Sequence, residues 1–421
     1  MMSTPCRPLI EVLAEVPDFR RARGKRHPLA AILALACVAI LCGYRSYGAM
    51  ADWGRNYGRK LVKALGFTRE QTPCAATLHT VFRNLDREQL EAKLGEWAEG
   101  VLEATPAGEG EGEGIAVDGK TLRGSRKQKA AGVHLLSAVG QRLGLTLGQR
   151  SVGDQTNEIA VVEELLHGLV LEGRVITMDA LLTQRKGAQT ILEGGGDYVM
   201  VVKGNQPHLL GDIQDLFQGL NGEGETVATP EVAATPEVAA TPEVVATPEV
   251  VATPEVAATP EVAATPEAMR VTETVELGHG RIEVRRLIAY TVEEGALHWP
   301  GVQQVFRIER TVRFKKSGKQ REEVVYGVTS LPPARAGPDR LLHFSRAHWE
   351  IENRSHWVRD VTYDEDRSQV RCGSIPQVMA ALRNTAIGLM RAAGETHIAA
   401  ACRRYAAQPQ GALALLGIVV E

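Results

Sequence analysis

Apolar side chains recur at helical spacing through the first hundred residues, and that spacing predicts helices over 28–42, 46–64 and 77–103. In the last of these, Leu78, Phe82, Leu85, Leu90, Leu94 and Trp97 form one stripe. The longest apolar run, Leu29 to Cys42, covers 14 residues directly after Pro28. A bilayer-spanning helix needs about 20 apolar residues. The run also begins well inside the chain, without a convincing cleavage signal behind it. It reads as a buried helix opened by proline, and no membrane partner is expected.

The pattern then breaks. Pro106 to Gly114 (PAGEGEGEG) combines glycines, costly to order, with acids that have nothing to bury, so it reads as a flexible linker. Beyond it, short runs of alternating or continuous apolar residues predict strands at Ile115–Val117, His134–Val139, Leu143–Ser151, Arg174–Met178 and Asp197–Val202. Helices are predicted over 157–169, with Asn157 as cap and Glu158 in its first turn, over 183–192, and over 207–217. Three strands, then helix, strand, helix, strand is the order of an α/β, ribonuclease-H-like core. Further strands are predicted at Gly280–Tyr290, Gln304–Arg313 and Glu323–Thr329, then a helix over Arg340–Arg359 and another near Pro376. The resulting division is a small all-helical part (1–105), the linker (106–114), the first part of the core (115–220), an insertion (221–268), a β-rich insertion (269–335), the end of the core (336–395) and a tail (396–421).

The insertion at 221–268 holds seven Thr-Pro-Glu triplets, one every six residues from Thr229 to Glu267. Proline at that interval blocks both helix and sheet, and no aromatic residue is present to seed a core, so an extended, disordered segment is expected. It also changes how net charge is read. The whole chain carries −3, but this segment holds nine glutamates and no lysine or arginine; without it, 48 basic residues face 42 acidic ones. That balance permits a nucleic-acid partner without demanding one. Arg20, Arg21, Arg23, Lys25 and Arg26 form a denser basic patch, either a phosphate contact or a solvated loop. The six cysteines are scattered and form no C-x-x-C pair, as expected of reduced thiols in a cytoplasmic protein.

Three acids stand at informative places. Asp118 follows the first core strand and Asp179 the fourth, so neighbouring strands would set two carboxylates side by side. Their repulsion is relieved by a divalent cation, and hard oxygen ligands favour Mg2+ or Mn2+. Glu352 lies on the 340–359 helix, where His348, His356 and Arg359 share its face at offsets of −4, +4 and +7. Two aspartates and a glutamate can hold a pair of ions for phosphoryl transfer. Singly, each has a plainer reading: Asp118-Gly119 as a turn, Glu352 as a solvated helix residue.

The motifs AVDGKTLRGS, TNEIAVVEELL, VITMDALLTQ, GGDYVMVVKGNQPHLL, HGRIEVRR and HWEIENRSHWVRDVTYDEDRSQVR, with RGKRHPLAAILALACVAILCG and TPCAATLHTVFRNLD upstream, resemble the DDE-type transposases of bacterial insertion sequences, in the group of the H-repeat-associated proteins. The resemblance spans nearly the whole chain outside the Thr-Pro-Glu segment. It implies a ribonuclease-H-like fold with a β-rich insertion ahead of the final catalytic helix. It also implies catalysis of strand cleavage and transfer by Asp118, Asp179 and Glu352 with two bound Mg2+ or Mn2+ ions. The implied partners are the element's terminal inverted repeats and target DNA, bound by a homodimer acting at the nucleoid.

The family's signature around the glutamate places tyrosine seven residues before it, arginine four before and lysine seven after; here Ser345, His348 and Arg359 stand there. After the second aspartate, where a His- or Cys-bearing segment is common, the chain has Leu181, Leu182, Thr183 and Gln184. Lys120, Arg123, Lys203, Asn205, His279, Arg281, His348, His356 and Arg359 are candidate contacts to DNA or its phosphates. The run Asp360, Asp364, Glu365, Asp366 reads as loop acids beside the site, with Asp366 a remote candidate for metal. Two rivals remain: a catalytically silent, transposase-derived DNA-binding protein, and a nuclease of the same fold.

Overall fold

The computed structural model describes residues 7–105, 112–126, 132–153, 158–222, 269–278 and 280–420. The Thr-Pro-Glu triplets, Asn157 and His279 lie outside the described residues, as does most of the glycine-rich linker. The amino-terminal part is helical: α1 (Leu9–Ala14), α2 (Leu29–Leu41), α3 (Tyr47–Asn56), α4 (Gly58–Ala64), α5 (Ala75–Asn84) and α6 (Arg87–Ala104). Two of the predicted helices are each split. Ser46 caps α3 through its side chain, which accepts from Ala49 N, but Gly58 takes a positive φ of 78° and starts a new axis. Asp86 caps α6 by accepting from the Glu88 and Gln89 amides, with Leu85 extended before it. The apolar run forms α2 and is buried almost throughout, against α1, α3 and helices from the far end of the chain.

The rest is built on one sheet. Its strands are β1 (Gly114–Leu122), β2 (Val133–Gly140), β3 (Thr146–Val152), β4 (Val175–Met178), β5 (Asp197–Val202), β6 (Met269–Gly278), β7 (Arg281–Thr291), β8 (Gln304–Phe314) and β9 (Gln320–Thr329). Helices α7 (Glu158–His167), α8 (Arg185–Glu193) and α9 (Pro207–Gly222) connect the core strands. After the sheet come α10 (Pro338–Ile351), α11 (Ile375–Ala392), α12 (Ile398–Ala407) and α13 (Pro409–Leu415). The order across the sheet is β3-β2-β1-β4-β5-β9-β8-β7-β6. β1, β2 and β3 form an antiparallel meander, while β1, β4 and β5 run parallel. This is the ribonuclease-H-like arrangement, here extended by an antiparallel four-stranded ribbon that joins at β5–β9.

Alternation along β1 sorts the two faces. Ile115 and Val117 enter the main core, whereas Ala116 turns the other way and meets Val139 and Ile351 of α10. α11 packs against α2, α6, β2 and β3, so the amino-terminal helices and the sheet share one apolar core.

Several expectations change. β1 does not stop at Val117; pairing with β2 carries it through Asp118 to Leu122. Glu113, expected in a solvated linker, is buried and ion-paired to Arg142 at 2.9 Å. β6 was not legible as a strand, because its charged and threonine-rich sequence is largely exposed at the sheet edge. The helix predicted over 340–359 is α-helical only to Ile351; Glu352–His356 and Val358–Thr362 are π-helical. The carboxyl-terminal tail packs, with Ala401, Leu413 and Leu416 buried.

Candidate active site

In the parallel pair β1–β4 the last partners in register are Val117 and Met178. Asp118, still within β1, and Asp179, the first residue past β4, come next, so their backbones leave that pair from strands about 4.8 Å apart. Asp118 also shares a face with Ala116, the face covered by α10. Ile351 of α10 is seated on Ala116 and Val139, and Glu352, the next residue, is exposed. Burial first, then the carboxylates of Asp179, Glu352 and Glu158, push the Asp118 carboxyl up to about 6, against a lowering by the Gly119 amide. Of the three acids named from the sequence, Asp118 thus lies within electrostatic reach of both Asp179 and Glu352.

Each is held differently. Asp179 accepts the Leu182 amide at 3.1 Å, and Thr183 fixes the turn by donating to the carbonyls of Asp179 and Val201. Asp118 faces Ser137 across β2 and has His356 Nδ1 at 3.5 Å. Burial, then Arg359 and Lys120, push the His356 imidazole down to about 3, so it meets Asp118 as a neutral ring. Widened π turns displace side chains from their 3.6-residue positions, which is why Glu352 points outward while Arg359 points in. The donors are all hard oxygens, and their mutual repulsion is of the kind a divalent cation neutralises, so the residues suit such an ion in chemistry. Among the described residues no three His, Cys, Asp or Glu side chains stand already closed around an ion position.

Residues 109–389 match the family model described as the transposase DDE domain, and residues 10–98 match the associated amino-terminal model described as DDE_Tnp_1-associated. The chain belongs to the DDE transposase family. The putative transposase YncI of Escherichia coli O157:H7 is 27% identical over 394 residues, covering 91% of this chain and 87% of that one. The H repeat-associated putative transposase YhhI of Escherichia coli strain K12 is 24% identical over 393 residues, covering 91% and 90%. An uncharacterized protein in the dhlA 3′ region of Xanthobacter autotrophicus is 36% identical over 201 residues, covering 47% and 66%. Among solved structures, a piggyBac transposase synaptic complex with hairpin DNA aligns over 97% of this chain and 77% of its own with a TM-score of 0.38 and 11% identity, too loose to carry an argument.

Several candidate DNA contacts of this DDE-family chain are placed otherwise. His348 is buried, its Nδ1 3.0 Å from Thr177 Oγ1, and burial pushes it down to about 4; it offers DNA neither charge nor access. Arg359 is fully buried and donates to Glu365 at 2.8 Å, so the cation seven residues after the glutamate faces inward. Lys120 is buried and pairs with Asp360 at 2.6 Å. Asn205 donates to Ala180 O, tethering the loop behind Asp179. Arg20 is held by Asp18 and His27 O, which removes it from the basic patch; Lys25 lies 3.6 Å from Asp18, and Arg21, Arg23 and Arg26 stay exposed. Arg123 is exposed, 3.8 Å from Asp366. Lys203 is exposed just past the end of β5. Arg281 pairs with Glu283, away from the acids on the ribbon.

Sequence reading missed Glu158. Its carboxylate is 2.5 Å from His134 Nε2, and it lies so close over Gly119 that a Cβ there would come within 2.8 Å of it. It stands three residues into the TNEI motif, visible as a motif but readable only as a helix start.

Proposed function

We propose that this chain is an active transposase that cleaves and joins DNA strands by phosphoryl transfer, with Asp118, Asp179 and Glu352 as its metal-holding carboxylates. The observation that carries this reading is the β1–β4 register, whose last pair, Val117 and Met178, directly precedes two aspartates 61 positions apart. Glu352 supports it by being near enough to help raise the Asp118 carboxyl. Bound Mg2+ or Mn2+, one ion or two, would neutralise charge on the scissile phosphate and ease deprotonation of the attacking hydroxyl. His356 and the Gly119 amide orient Asp118, the Leu182 amide orients Asp179, and Lys203 with Arg123 supplies exposed charge for phosphates. In the first step water attacks a phosphodiester at the element's end and the 3′-oxygen leaves. In the second, that 3′-hydroxyl attacks a target phosphodiester, whose own 3′-oxygen leaves in turn. Two subunits holding two inverted-repeat ends on the nucleoid complete the scheme.

Asp118→Asn and Glu352→Gln are expected to abolish end cleavage while leaving binding to an end duplex within about twofold. Magnesium added back after chelation restores cleavage to the wild type only. Wild-type rates from E352Q would remove Glu352 from the centre. A second reading, a catalytically silent DNA-binding descendant, draws on the inward-facing His348 and Arg359, which leave two family positions without an available cation. End binding with no nicking in Mg2+ or Mn2+ would establish it. Nicking without joined products would favour a nuclease instead.

A further inference from the structure

β5 ends at Val202, opposite Tyr326 of β9, but β9 begins at Gln320, so the ribbon runs on for six residues past the carboxyl edge of the core strands. At about 3.3 Å per residue this is an overhang of about 20 Å, on the same sheet edge that carries Asp118 and Asp179. β8 and β7 extend with it, as the pairs Arg313–Gln320 and Arg281–Phe314 require. The inner part of this overhang neutralises its own charge, through Arg285 with Glu276 and Arg310 with Glu283, as does its base through Arg307 with Glu309. Its end does not. Arg313, Lys315, Lys316, Lys319 and Arg321 fall within nine positions that contain no acid, and all five are exposed. Among the described residues none of them has a carboxylate within ion-pair distance, although exposed Glu322 follows directly in sequence. Phe314 stands 41% exposed between them.

We propose that this overhanging end of the ribbon is a second DNA-binding surface, which grips the sugar-phosphate backbone of the duplex lying on the acidic centre. Unpaired cations held out on a sheet, with an aromatic ring among them, fit a polyanion and have no use in the fold itself. Duplex DNA offers one phosphate per about 1.7 Å of axis, so a 20 Å overhang spans about a dozen. The inference rests on DNA being the substrate but assigns nothing to the three acids.

The test is equilibrium binding of the full chain to an end duplex, and to an unrelated duplex of equal length, across a salt series. Each phosphate contact contributes about 0.9 to the slope of log affinity against log salt. K315Q/K316Q/K319Q is expected to lower that slope by about 2 to 3 on both duplexes, with an unchanged melting temperature. K315R/K316R/K319R is expected to keep the wild-type slope, which a purely structural role would not predict. An unchanged slope in the glutamine variant, with wild-type binding intact, overturns the clamp and leaves the catalytic reading standing. Loss of all DNA binding by the wild type overturns both. If the variant instead alters sedimentation and not DNA binding, the tip meets a second copy of the chain and the clamp is overturned.

Discussion

Arg359, Glu365 and Arg383 bury three full charges directly behind the candidate active site. Glu365 accepts from both arginines at 2.8 Å, and Arg383 reaches on to Arg45 O. Burial alone would raise the Glu365 carboxyl; the two guanidiniums overcome it and hold it below its ordinary value. Removing one member of such a buried set strands the others, so Glu365→Gln is expected to cost about 3–5 kcal/mol in a denaturant melt. A loss under about 1 kcal/mol would mean water reaches the arginines. Glu91 is the opposite case, a buried acid that accepts from the Gln149 amide at 2.8 Å, and burial pushes it up to about 7 against the lowering by that bond, Arg87 and Arg150. The folded state therefore keeps a proton that the unfolded chain releases from its ordinary value of 4.5 upward. Stability falls as pH rises from there to about 7 and carries the full penalty above it. Glu91→Gln is expected to match the wild type near pH 4 and to exceed it by about 1–3 kcal/mol at pH 8. A pH-independent difference in melting would contradict this. None of these three-dimensional pairings shows in the sequence, where Glu365 is one acid in an acidic run.

Among the elements, β1 and the helix bearing Glu352 hold two of the three candidate acids, and Gly124 lies between the end of β1 and the loop that follows that helix. A Cβ at Gly124 would meet the backbone carbonyls of Ser368 and, at 2.6 Å, Glu365. Only hydrogen lets the end of β1 lie against the loop that anchors Arg359. Gly124→Ala is expected to destabilise by about 1–3 kcal/mol and to slow cleavage more than DNA binding, since it displaces the support of Glu352 and not the ribbon. Equal loss of both would place Gly124 in a general structural role. The core strands were readable because continuous apolar runs such as VITM and DYVMVV announce buried parallel strands. The π turns after Ile351 were not. No proline or glycine marks them, and at a spacing of 3.6 His348, His356 and Arg359 fall on the face of Glu352.

For the molecule as a whole, the decisive fact is the shared core of the amino-terminal helices and the sheet. α2 and α6 pack on α11, and Gly95 of α6 lies so close to β3 that a Cβ there would be 2.5 Å from Leu147 O. A fragment lacking residues 1–105 would expose α11 and one face of β3. It is expected to show no cooperative thermal unfolding; a sharp melt of that fragment would contradict the shared core.

Apolar periodicity by itself determined the run of helices, then strands, and the position of Asp179 just past the end of β4, because periodicity is a local property; that β1 continues through Asp118 was decided by its pairing with β2. It also determined that Leu29 to Cys42 is buried. Tertiary structure alone decided which cations are free. A charged side chain reads the same in sequence whether it meets solvent, as Lys315 does, or a carboxylate folded back from another element, as Lys120 and Arg359 do. The folded path of the chain sets that choice, across 240 positions for Lys120 and Asp360 and across only 6 for Arg359 and Glu365.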